Sequence, residues 1–178
     1  MCQYDEIADV YDALFTDRES LAENEEVGRM IGLQPGESVY DIGCGTGLFV
    51  EITGVAPKDY VGIDPSGKML KHFCEKHPEF RDGLANGYFE EDTKTPKAGL
   101  IVSLFGAPSY LPEQALWKIV GCESRLFLMF YKPDYHPVTY EKLGVEFEHF
   151  LYTEEKLESI FGEGTAREWH NFIIIDRR

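Results

Sequence analysis

The chain has 178 residues, 43% of them hydrophobic and 28% charged, enough for one self-supporting core and too few for a second domain of ordinary size. Its 17 Lys and Arg face 32 Asp and Glu, a formal net charge of −15. With no basic run to neutralise phosphates, nucleic acid and anionic membrane surfaces are excluded as expected partners.

Cys2, Cys44, Cys74 and Cys122 form no CxxC pair, and His72, His77, His136, His149 and His170 show no HxH or HxxxH spacing, so no metal is expected. The N-terminal residues lack the basic and apolar regions of a secretory signal, and no apolar run approaches the ~18 residues of a membrane span. The expectation is a reduced, cytoplasmic protein.

In chain order, residues 4–15 place Tyr4, Ile7, Ala8, Tyr11, Leu14 and Phe15 at helical spacing, with Asp5, Glu6, Asp9 and Asp12 opposite, and so predict an amphipathic helix. A second helix is expected from Ser20, with Glu23 completing a capping box, to Gly32. Residues 38–43 then read as a strand, 46–56 as a helix and 60–64 as a second strand. Ser66 is placed to cap a helix carrying Met69, Leu70 and Phe73 that stops before Pro78.

A third strand is placed near 79–82, followed over 84–98 by a polar loop or short irregular helix. Residues 100–105 are a buried strand, Pro112 opens a helix, and 125–131 form another strand. Beyond a Pro-containing connection over 132–144 the pattern predicts a strand at 145–152, a short helix at 153–161 and a final strand at 168–176. This alternation predicts a mostly parallel sheet covered on both faces, with its ligand site at the carboxyl ends of the strands.

Two of those ends carry the chemistry. The first runs Asp41-Ile42-Gly43-Cys44-Gly45-Thr46-Gly47, whose glycines let backbone approach a ligand, and the second ends in Gly62-Ile63-Asp64. Asp64 follows Gly43 by 21 positions, close to the ~20 expected of an acid that receives ribose hydroxyls, so the pair defines a nucleoside site. A dinucleotide fingerprint, GxGxxG, would need glycine where Leu48 stands, and pyrophosphate prefers a helix N-terminus free of nearby acids. Asp41 suits a cationic ligand better, and S-adenosylmethionine (SAM) carries a sulfonium and no phosphate.

With these motifs the chain resembles the class I SAM-dependent methyltransferases. The resemblance includes Tyr4-Asp5-x-Ile7-Ala8-x-x-Tyr11-Asp12, the glycine loop, Gly62-Ile63-Asp64-x-Ser66-x-x-Met69-Leu70 and Ser103-Leu104-Phe105, and covers roughly the first 110 residues. It implies a single-domain, Rossmann-like α/β fold over 1–178: covering helices at 4–32, then a core over 38–178 whose seven-stranded, mostly parallel sheet has helices on both faces and an antiparallel last strand. It further implies that Asp41, Gly43, Gly45 and Gly47 lie against the methionine part of SAM, that Asp64 holds the ribose and Met69 flanks the adenine, and that Cys44 and Pro65 also contact the cofactor. Leu104 and Phe105 would sit beside the methionine and the transferable methyl. The adenine contact after the third strand falls on Asp82 or on the backbone near Ala85.

Tyr4 and Tyr11 either pack in the core or, as in similar methyltransferases, reach the ligand. Where small-molecule amine methyltransferases often carry a histidine, after the fourth strand, this chain has Tyr110. A phenol of ordinary pKa ~10 is a poor base at neutral pH, so Tyr110 is expected to shape the acceptor pocket. His136, after the fifth strand, is a further rim candidate. The expected reaction is in-line methyl transfer to a small-molecule nitrogen or oxygen, with S-adenosylhomocysteine as product and the protein a monomer or homodimer. A non-catalytic SAM-binding regulator and a methyltransferase acting on proteins are the alternatives.

Overall fold

The computed structural model describes residues 2–90, 94, 97–135, 143–144 and 147–178. Among these the strands β1 (Val39–Ile42), β2 (Tyr60–Asp64), β3 (Leu84–Asn86), β4 (Leu100–Ser103), β5 (Arg125–Tyr131), β6 (Ala166–Trp169) and β7 (Phe172–Arg177) form one sheet in the order β3-β2-β1-β4-β5-β7-β6. β7 alone runs antiparallel to its neighbours β5 and β6, and the other pairings are parallel. The order reverses between β1 and β4, and a crevice opens there beyond the carboxyl ends of the strands.

The central strands are apolar throughout because both faces are covered. On one face Val39, Val102, Phe127, Met129 and Ile174 pack with α1 (Arg18–Ile31), α2 (Leu48–Thr53) and α3 (Gly67–Lys76), through Val27, Ile31, Phe49 and Phe73. On the other, Ile101, Leu126, Leu128, Phe130 and Ile175 pack with α4 (Glu113–Val120) and α5 (Glu154–Phe161), through Leu116, Ile119, Leu157 and Ile160.

Several expectations are corrected. Residues 4–15 form two 3-10 turns, Gln3–Glu6 and Asp12–Phe15, instead of one helix. The acids assigned to a solvated face are tertiary ligands: Asp5 accepts from the Ser66 hydroxyl at 2.7 Å, and Asp12 accepts from Thr46 and pairs with Lys76 at 2.8 Å, pulling the segment onto the glycine loop and α3. Helix α1 starts earlier than Ser20, because Asp17 accepts from the N–H groups of Glu19 and Ser20 at 2.9 and 3.0 Å and places its charge at the helix N-terminus.

Residues 79–82 belong to a 3-10 turn, Pro78–Gly83, and the third strand is Leu84–Asn86. The residues described within 145–152 form no strand. The expected strand at 168–176 is the hairpin β6–β7, turning at His170 with φ +49°. His136 lies outside the described residues.

Candidate active site

The crevice holds a cavity of about 1070 Å³. The glycine loop forms one wall. Gly43 and Cys44 donate to the Ile63 carbonyl at 2.8 and 3.2 Å, binding the loop to the end of β2. Gly43 has φ +76°, and a Cβ there would sit 2.7 Å from that of Ala107, so glycine is required on both conformational and steric grounds.

Asp64 ends β2 at the cavity wall, 7% exposed. Its two carboxylate oxygens accept from Gly45 N at 2.9 Å and Ser66 N at 2.8 Å. Burial pushes its carboxyl up to about 6 against these two donors, with the Asp5 charge adding to the rise. Ser66 also caps α3, accepting from Met69 N at 3.1 Å while donating to Asp5, so one serine joins the acid, the helix and the N-terminal segment. Met69 is fully buried against Ile7 and Ala8 and forms the cavity floor there.

Beyond β4, Phe105 has φ +47°, a left-handed conformation that a bulky residue rarely adopts, and is followed by Gly106 at φ +88°. The turn is held by Gly106 N donating to the Met129 carbonyl at 2.9 Å and by the Tyr131 ring lying directly on Gly106. Phe105 is thereby turned to the cavity beside Leu104. Tyr110, in the 3-10 turn Ala107–Tyr110, reaches the same cavity; its hydroxyl accepts from that of Tyr4 at 3.2 Å, and burial raises it above the ordinary phenol range. Tyr4 and Tyr11 also line the space, so both pack and face it.

Of the residues singled out from the sequence, Tyr11, Gly43, Gly45, Asp64, Pro65, Met69, Leu104, Phe105 and Tyr110 line this one cavity. Asp41, Cys44, Gly47 and Ala85 do not. Asp41 is 2% exposed and points under the loop, where the Tyr60 hydroxyl donates to it at 2.8 Å; burial pushes its carboxyl up to about 7, with the Asp64 charge adding and the hydroxyl opposing. Cys44 is buried beside Tyr60, and burial pushes its thiol well above the usual range.

Gly47 meets the Phe73 ring, which a Cβ would approach to 2.9 Å, so its role is packing. Ala85 pairs with Ile63 in β3, and Asp82 is exposed in the turn before it. Gly87, Tyr88, Phe89 and Glu90 line the cavity at that end, two to five positions beyond Ala85, because the strand itself starts later than expected. Gln114 and Phe150 were missed for want of any local motif, since they come from α4 and from the connection before α5.

No protein-family model matches the chain, and no curated protein matches it significantly. Solved structures match it along nearly its whole length. DesVI of Streptomyces venezuelae aligns over 96% of this chain and 97% of its own, at 18% identity and TM-score 0.64. A SAM-dependent methyltransferase of Thermotoga maritima, described as a possible histamine N-methyltransferase, aligns over 93% and 80% at 17% identity and TM-score 0.65. Magnesium protoporphyrin IX methyltransferase of Synechocystis, with S-adenosylhomocysteine bound, aligns over 96% and 93% at 17% identity and TM-score 0.62. The sheet order, the antiparallel β7 and these alignments establish the fold of this chain as that of the class I SAM-dependent methyltransferases.

Proposed function

We propose that the protein is a SAM-dependent methyltransferase acting on a small-molecule nitrogen or oxygen. The observation that carries this reading is Asp64: a carboxylate at the end of β2, fixed by two backbone N–H groups, in the wall of a cavity at the point where the strand order reverses. Each of its oxygens has one protein donor, which leaves lone pairs for ribose hydroxyls. The cavity is at the upper end of the ~300 to 1,000 Å³ typical of ligand sites, with room for a nucleoside and part of an acceptor. The residues therefore fit SAM, which when bound supplies a sulfonium methyl for in-line displacement, leaving S-adenosylhomocysteine.

In this reading the backbone at Gly43 and Gly45 lies against the methionine part, Asp64 holds the ribose, and Pro65 and Met69 flank the adenine. The segment from Gly87 to Phe89 takes the place expected of Ala85. Leu104 and Phe105 border the methyl, and Tyr110, tied to Tyr4, bounds the acceptor. Positioning of this kind can supply ~7 to 11 kcal/mol of barrier reduction without a covalent intermediate. Calorimetric titration with SAM, S-adenosylhomocysteine and NAD tests the proposal: binding of the first two and not the third is expected, and NAD binding without SAM binding would overturn it.

A further inference from the structure

A second cavity, of about 500 Å³, shares Tyr11 and Phe105 with the first, so the two spaces meet across these rings. Its far wall is Tyr131 at the end of β5, Tyr135 in the following turn and Phe172 at the start of β7, all on the carboxyl-end edge where β4 and β5 terminate. Tyr131 stacks on Phe172 with ring centroids 5.7 Å apart, and Tyr135 lies 5.5 Å from Tyr131.

Neutral polar groups (Thr16, Ser20, Asn24, Thr46 and Asn171) share this lining, and its charged residues are four acids and one lysine. Asp12, Asp17, Glu23 and Glu51 face this cavity, and Lys76 is the one Lys or Arg among its described lining residues. Lys76 is engaged by Asp12 at 2.8 Å and Glu51 at 2.7 Å, and Asp17 is spent on the cap of α1. Glu23 stands at the aromatic end, where its charge acts on the Tyr135 hydroxyl, and the His170 ring lies 3.6 Å from it.

We propose that this second cavity is the acceptor subsite, and that it selects a primary or secondary amine carried on a small apolar body. The inference rests on the methyltransferase reading and narrows its substrate class. An alkylammonium gains from both features at once: the aromatic faces attract a cation, and the Glu23 carboxylate pairs with it. A neutral alcohol gains neither, and a carboxylate or phosphate is repelled by the acidic lining. Among the described residues, the subsite also offers a developing alkoxide no Lys or Arg that is not already paired.

The chemistry balances. The ammonium releases a proton to water before transfer. The freed nitrogen lone pair forms the N–C bond to the methyl as the C–S bond breaks with its electron pair going to sulfur, giving an N-methylammonium and a thioether.

The test uses the full chain saturated with S-adenosylhomocysteine and three phenylalkyl probes, phenethylamine, 2-phenylethanol and 3-phenylpropionate, followed by calorimetry. Phenethylamine is expected to bind at least tenfold more tightly than the other two. Glu23→Gln should erase about tenfold of that preference, and Tyr135→Leu, which removes the ring and keeps apolar bulk, should weaken the amine selectively. Neither should move S-adenosylhomocysteine affinity, which also reports that the variants are folded. Equal affinities for the three probes, no binding of any of them, or a preference unchanged in both variants would overturn the proposal. Failure of SAM and S-adenosylhomocysteine to bind would instead refute the methyltransferase reading, and the amine preference of the ligand-free chain would then decide the subsite separately.

Discussion

Replacing Asp41 by Asn should make the protein's stability less sensitive to alkali. Asp41 lies under the glycine loop at 2% exposure, its carboxyl pushed from the ordinary ~3.9 to about 7 by burial, with the Asp64 charge contributing. Between these values the folded state keeps a proton that the unfolded chain releases. The associated stability is therefore fully present below about pH 4 and is lost as pH rises through about 7. Each pH unit of that window is worth ~1.4 kcal/mol, so raising the pH from 5 to 8 costs the wild type ~2 to 3 kcal/mol through this group alone. Asn accepts from Tyr60 as Asp does but does not titrate, so its baseline offset is the same at both pH values. For a chain of this size, at ~2 to 4 °C per kcal/mol, the melting temperature of Asp41→Asn relative to wild type should rise by roughly 5 to 10 °C between pH 5 and pH 8. Thermal denaturation followed by circular dichroism at the two pH values measures it. A difference that does not move with pH would refute the assignment of Asp41 as a buried, proton-holding group.

Gly106→Ala should destabilise the fold by ~1 to 3 kcal/mol, because φ is +88° and the new methyl would meet the Tyr131 ring; an unaltered denaturation midpoint would contradict this. Tyr110→Phe should keep SAM affinity and most of the turnover, whereas Tyr110→Ala, which opens the wall of the first cavity, should weaken acceptor binding without abolishing it. A ~10²- to 10⁴-fold fall in the Phe variant's rate would show instead that the hydroxyl takes the proton. Ser66→Ala should cost ~1 kcal/mol through the lost cap of α3 and should release Asp5, seen as faster amide exchange over residues 3–8; unchanged exchange there would count against the serine as the joint of the N-terminal segment.

The parts of the fold that were legible are those where burial on both faces or a glycine loop dictates the residues. β1, β2, β4 and β5 read as strands because Ile101, Val102 and their neighbours are apolar on both sides, and Ser66 announced the start of α3 as its cap. β3 was misplaced because Leu84-Ala85-Asn86 is a three-residue, largely exposed edge strand with no alternation to read. The turn between β6 and β7 carries no Gly or Pro; His170 takes the left-handed conformation itself.

Residues 147–152 imitate a strand because Phe147, His149 and Tyr152 pack on Tyr4, Tyr110 and Phe130, while the backbone reaches Ser109 through Phe150 N at 2.8 Å. At the candidate site the sequence located the cavity but not the direction of every side chain. Asp41 shares its strand face with Val39, and that face looks toward Tyr60 and the helices, which period-two alternation could have revealed. The second cavity was not legible at all, since Glu23, Tyr135 and Phe172 come from three distant elements.

The affinity of SAM for Asp64→Ala, measured by calorimetry beside the wild type, tests the central claim most directly. Two hydrogen bonds to a charged carboxylate, each worth ~1.5 to 3 kcal/mol, predict SAM binding by the wild type and a loss of ~100-fold or more in the variant. A wild type that does not bind SAM, or a folded variant that binds it unchanged, would contradict the account.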